Sequence, residues 1–114
     1  MIGGSMYQDR VVLCGANSYE EKYYLNPDFD QLPQSIKDEL KIMCVLYVHD
    51  VGGILTLVFE DDGSLQLEVT SEEFDPTFDE IGSQLKIKEI QREKQELLEA
   101  LQIFYKVFFL GEEF

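Results

Sequence analysis

Ile54-Leu55-Thr56-Leu57-Val58-Phe59-Glu60-Asp61-Asp62-Gly63-Ser64-Leu65-Gln66-Leu67-Glu68-Val69-Thr70 reads as a β-hairpin, and the rest of the fold is read outward from it. The second arm alternates strictly: Leu65, Leu67 and Val69 face one side, and Gln66, Glu68 and Thr70 face water. Between two apolar runs, Asp-Gly is a strong turn signal, because glycine takes the positive φ that such a turn requires. Gly63 is therefore expected in a left-handed conformation.

N-terminal to the hairpin, Pro33 suits a first helical position. Ile36, Leu40, Met43 and Tyr47 follow at spacings of four, three and four, one face of a helix over roughly 33–49. The apolar run Ile42 to Val48 admits a strand in a three-stranded meander, but the helical period already starts at Ile36 with no breaker between. With Cys44, Leu46 and Val48 on other sides, the second half of this helix is expected to be nearly surrounded by protein. Gly52 or Gly53 then closes it.

C-terminal to the hairpin, Ser71 to Pro76 is an acidic loop. Thr77-Phe78-Asp79-Glu80 reads as a capping box at the start of a long helix. Ile87, Ile90, Lys94, Leu97, Leu101, Phe104 and Phe108 keep a helical period as far as Gly111. Unbroken, Phe78 to Leu110 would span about 50 Å, against a radius of gyration of about 13 Å for a compact chain of this size. Either the helix breaks at Gly82-Ser83, or it projects and needs a partner. Its polar middle, Gln91 to Glu96, suits solvent. Its apolar end, Ile103 to Leu110, must be buried.

Before the first helix, Val11 to Cys14 reads as a short extended arm broken by Gly15-Ala16-Asn17. Ser18-Tyr19-Glu20-Glu21 reads as a capping box, giving a short helix over Tyr19 to Leu25; a strand is the alternative, because tyrosine favours strands. Asn26-Pro27 ends either element. Met1-Ile2-Gly3-Gly4-Ser5 precede a second methionine, Met6, and read as a cloning remnant, leaving residues 6–114 as a single domain.

The chain carries 23 acids against nine bases, a formal charge of −14. That argues against binding nucleic acid or an anionic membrane, both of which need a basic footprint, and favours a basic protein partner. The charge is uneven: nine acids and no Lys or Arg lie between Glu60 and Glu80, while Lys86 to Lys94 holds four bases and two acids. No apolar run approaches the roughly 18 residues of a membrane span, and no basic stretch followed by an apolar one marks a secretory signal. Two cysteines are too few for an extracellular disulfide framework; buried thiols in a reducing cytoplasm are the simpler account.

Few residues invite chemistry. His49, the sole histidine, falls at a helix C-terminus, where the dipole favours an imidazolium. As a general base it would need Asp50, and neighbours at a helix end do not face each other. Cys14 and Cys44 stand in no Cys-x-x-Cys frame, and Cys44 lies in the most apolar run, where burial makes a thiol inert. Asp61-Asp62-Gly63-Ser64 fails as a calcium loop, because Val69 stands where the glutamate is required. The carboxylates Glu72, Glu73, Asp75, Asp79 and Glu80 form an acidic patch open to a cation or a basic partner, or simply solvated. No cofactor, metal or catalytic constellation is expected.

The stretches Leu13 to Tyr24, Ile36 to Leu46, Val51 to Leu57 and Tyr105 to Gly111 resemble those of a small family of bacterial proteins of unknown function. The resemblance implies a bacterial, cytosolic protein of about this length; it carries no activity and no site.

The sequence thus predicts an α+β domain of order αββα, with a short N-terminal element and helices over one face of the hairpin. The expected function is a non-enzymatic interaction module, homodimeric at micromolar concentration, with Phe104, Phe108, Phe109 and Leu110 as the contact surface. One alternative is a small ligand binder or enzyme whose pocket, between the helices and the hairpin and lined by Tyr19, Tyr23 or His49, holds a perturbed titratable group. Another is an acidic mimic of nucleic acid that inhibits a basic protein.

Overall fold

A computed structural model describes residues 10–113; the segment 1–5, read above as a cloning remnant, and Met6 lie outside the described residues. Strands β1 (Val11–Asn17) and β2 (Lys22–Leu25) come first, then a 3₁₀ turn over Pro27–Phe29 and helix α1 (Gln34–Val51). The hairpin β3 (Ile54–Phe59) and β4 (Leu65–Thr70) follows, then helices α2 (Glu80–Glu93) and α3 (Gln95–Phe108). The class is α+β, but αββα is only part of the order. Two further strands precede it and the last helix is two helices.

The four strands form one antiparallel sheet in the order β2-β1-β3-β4. In the hairpin Leu55 lies opposite Val69, Leu57 opposite Leu67 and Phe59 opposite Leu65. At its turn the Gly63 N–H donates to the Glu60 carbonyl at 2.9 Å, the Glu60 N–H to the Ser64 carbonyl at 2.8 Å, and Gly63 takes φ +91°.

The N-terminal arm is a full interior strand running through Gly15 and Ala16. Its pairing with β3 shifts between Val12 and Cys14. A bulge adds one residue to a strand and turns the side-chain alternation there, so Leu13 and Cys14 are both fully buried. The segment 19–25 is not a helix. Asn17 Oδ1 accepts from the Tyr19 and Glu20 N–H groups at 2.8 and 3.1 Å, bending the chain into a turn. Glu21 then takes φ +53° before β2 begins.

Ile42 to Val48 is helical. Leu40, Met43, Cys44, Tyr47, Val48 and Val51 turn α1's buried face onto the sheet. The second half of α1 is not surrounded, however: Ile42, Val45 and Leu46 are exposed. The last helix is not capped by Thr77 and does not break at Gly82. Asp79 Oδ1 accepts from the Gly82 N–H at 2.8 Å, so Gly82 lies in α2's capped first turn. The break is at Lys94, with φ −108° and ψ 22°.

Helix α2 packs beside α1. The Tyr47 hydroxyl meets Ser83 Oγ at 2.5 Å in the interior, Lys86 lies 3.1 Å from Asp50, and Lys94 lies 3.0 Å from Glu39. Helix α3 then runs to the turn end of the hairpin, where Gln102 Oε1 accepts from the Leu65 N–H at 2.8 Å. Its Tyr105 stacks on Phe59 with ring centroids 4.2 Å apart, and Phe29 stacks on Phe59 at 5.6 Å. The break lets α3 bury Leu97, Leu101 and Tyr105 against its own sheet, giving a radius of gyration of 14.7 Å.

Candidate functional site

The acidic loop between β4 and α2 is held by specific bonds. Tyr19 donates its hydroxyl proton to Asp75 Oδ2 at 2.5 Å and accepts from the Glu72 N–H at 3.0 Å. Asp75 Oδ1 accepts from the Thr77 N–H and hydroxyl at 2.8 and 2.7 Å. The Tyr19 hydroxyl, with Thr77 behind it, holds the Asp75 carboxyl below its ordinary value, and hydrogen bonding to Asp75 raises the Tyr19 phenol. Asp75 and Asp79 are thus structural, while Glu72, Glu73 and Glu80 are solvent-exposed. Between them stands Phe74, 91% exposed, at φ +63°. A bulky residue with positive φ is a conformational outlier. Sequence reasoning missed Phe74; its one signal was a large aromatic in a run of acids.

The C-terminal aromatics are only partly brought together as a surface. Phe109 stacks on Phe29 at 4.8 Å and on Tyr105 at 5.0 Å, and Phe104 is half-buried. Phe108 touches Phe104, with centroids 4.8 Å apart, but stays 66% exposed, and Ile103 and Leu110 are exposed as well. The apolar end expected to be buried is therefore half-covered. Phe108 continues the stripe of Leu101 and Tyr105 to the end of α3, whereas Ile103 lies on the opposite side of the helix and Leu110 beyond it.

A cleft of about 660 Å³ opens between α1 and the β1–β2 turn. Of the residues anticipated for a pocket, Tyr23 and His49 line it, and Tyr19 does not. His49 lies at the rim, its side chain 81% exposed; its Nδ1 comes within 3.5 Å of Asp50 Oδ1, a contact that sequence reasoning had ruled out. Beneath the cleft, Cys14 and Cys44 are free and buried, their sulfurs 3.9 Å apart. Contact with the Cys14 thiol and burial push the Cys44 thiol up. Burial, then the Cys14 thiol, pushes the Tyr23 phenol up. Its buried hydroxyl has no hydrogen-bond partner of proper geometry among the described residues. Thirty positions apart in sequence, the two cysteines meet because β1 lies directly under α1.

Among the described residues, no three of His, Cys, Asp and Glu are grouped to hold a metal ion, and no helix is long and apolar enough to cross a membrane. The sequence model of a family of unknown function (DUF6145) matches residues 10–113. No curated protein matches the chain, and no solved structure does.

Proposed function

Since the chain belongs to a family of unknown function, DUF6145, which brings no activity with it, we propose from the geometry that it is a protein-interaction module presenting Phe74 to a basic partner. The carrying observation is Phe74 itself. Its side chain buries almost nothing, and its backbone holds a conformation that disfavours any residue but glycine by roughly 1–2 kcal/mol. Folding gains nothing from phenylalanine there, whereas an exposed, fixed aromatic is the usual anchor of an interface. Glu72 and Glu73, just before it in the chain, match an apolar pocket rimmed by Lys or Arg.

The test separates stability from recognition. Phe74→Gly relieves the backbone, so it leaves stability unchanged or raises it by up to about 1 kcal/mol. In affinity capture from the native host, a basic protein retained by the wild type and lost with Phe74→Gly supports the reading. Identical captured sets for the two overturn it.

A second reading is favoured by Phe108: exposed at the end of α3, and followed by the part-exposed Phe109 and Leu110, it leaves an apolar end that a second copy of the chain would cover. The two readings use different surfaces and are compatible.

A further inference from the structure

The bases of this acidic chain are mostly neutralised at home. Arg10 pairs with Glu60 and Glu68, Lys37 with Asp30, Lys86 with Asp50 and Glu89, Arg92 with Glu93, and Lys94 with Glu39. Lys22, Lys41, Lys88 and Lys106 have no ion pair among the described residues, and two of these, Lys22 and Lys41, together line the cleft between α1 and the β1–β2 turn. The only histidine, His49, lines the same cleft with Asp50 3.5 Å from its Nδ1, and the one carboxylate in the lining itself is Glu21. In a molecule of charge −14, this is a concave place where the local balance is positive.

The floor has a different character. Ala16 and Val48 are buried, Tyr23 is half-buried, and Val45 adds an apolar wall. At about 660 Å³ the cleft is within the range of roughly 300–1,000 Å³ typical of small-molecule sites, where an apolar lining holds the body of a ligand and a few polar groups fix its orientation. Its shape is set by rigid parts. Ala16 belongs to an interior strand, the turn's Ser18 N–H donates to the Gly53 carbonyl at 3.0 Å, and Lys41, Val45 and Val48 follow one side of α1 at spacings of four and three.

We propose that this cleft binds a small molecule with an apolar, ring-sized body and an anionic head, a carboxylate or a phosphate, the body on Ala16, Val45, Val48 and Tyr23 and the head between Lys22 and Lys41. Unpaired ammonium groups supply charge-assisted hydrogen bonds to such a head, and the acidic remainder of the surface repels it elsewhere. This site is separate from Phe74 and is independent of the partner proposed for it.

The experiment is an NMR titration of the isotope-labelled full chain with three probes of one body size: phenyl phosphate, benzoate and benzyl alcohol. Saturable amide shifts confined to 16–23 and 41–49 are expected, with at least one anion binding roughly tenfold more tightly than the alcohol. The phosphate and carboxylate arms identify the preferred head. The double variant Lys22→Ser/Lys41→Ser changes two exposed side chains. It should weaken the anion by about tenfold and leave the alcohol unaffected, with amide positions elsewhere unchanged as the control for folding. Three outcomes overturn the proposal: no saturable shift in those segments with any probe, an alcohol that binds as well as both anions, or an anion affinity indifferent to the two lysines.

Discussion

Gly53 and Gly63 both take positive φ, yet what surrounds them differs. A Cβ at Gly63 would meet only the flexible Lys106 side chain, its Cγ at 2.6 Å, so Gly63→Val carries mainly the backbone penalty of about 1–2 kcal/mol. At Gly53 a Cβ would stand 2.7 Å from the Thr70 carbonyl oxygen and 2.8 Å from the Phe78 ring. Main chain cannot step aside cheaply, and overpacking adds roughly 1–3 kcal/mol. Gly53→Ala should therefore be the more destabilising change although alanine is the smaller residue, as urea melts of the two variants will show; the reverse order would mean that the α1–β3 junction is plastic. Cys44 allows a second residue-level test. It is fully buried, and its thiol is pushed up by Cys14 and by burial, so a thiol reagent should label it slowly in native protein and quickly in denaturant. Its burial was legible from the run Ile42 to Val48. Its contact with Cys14 was not, because nothing local in a sequence says which strand lies under which helix.

Among the elements, the acidic loop shows how a tertiary bond sets local behaviour. Asp75 has a folded pKa depressed below 3.8, chiefly by the Tyr19 hydroxyl. A depressed carboxyl adds stability above its unfolded pKa and loses it as pH falls through the folded value. Tyr19 is raised above 10.0 by the same bond, so its contribution is complete below about pH 10 and fades as pH rises beyond that. The link should hold between roughly pH 4 and 10. The Asp75 carboxyl should titrate below its ordinary value by NMR, and the Glu72 amide should lose protection relative to its intrinsic exchange rate in acid; Tyr19→Phe should remove that protection and return the carboxyl part of the way, since Thr77 still lowers it; titration at the ordinary value would mean that the bond is absent in solution. The elements legible in sequence were those whose signals are local: the Asp-Gly hairpin, the period of α1, the glycine pair after it. Strand β1 was misread because an interior strand with a bulge shows no alternation, and Gly15 and Ala16 look like a breaker when they are strand residues beneath a helix. The turn into β2 was hidden because Glu21, not glycine, holds the positive φ. The break in the last helix was foreseen from its length and misplaced. Lysine is a good helix former, so nothing in the residue marks Lys94. The chain turns there because Leu97, Leu101 and Tyr105 find their burial on the sheet.

At the scale of the whole molecule, α3's return to its own sheet removes the long projecting helix from the case for a dimer and leaves the exposed end of α3. Ile103, Phe108, Phe109 and Leu110 retain between about a third and two-thirds of their accessible surface. Full burial is worth roughly 1.5–3 kcal/mol for each such side chain, so finishing the burial of four per protomer, counted twice across a two-fold axis, gives on the order of 8 kcal/mol. Lost translational and rotational freedom costs about 4–15 kcal/mol, enough to offset most or all of that gain. Two copies of charge −14 also repel each other, and Glu112 and Glu113 follow directly on the apolar end. Any association on this end is therefore weak, and salt should strengthen it, because raising the ionic strength from ~0.01 M to ~0.1 M shortens the screening length from about 30 to about 10 Å while the apolar gain is kept. Light scattering behind a sizing column, across protein concentrations and at both salts, should show the mass climbing toward two chains, more so at the higher salt. Phe108→Asp should abolish the climb without unfolding the chain, since Phe108 is 66% exposed and Phe104 is its only ring neighbour among the described residues. A monomer mass at every concentration and both salts would remove the dimer, and would leave the exposed end of α3 for a different protein to cover.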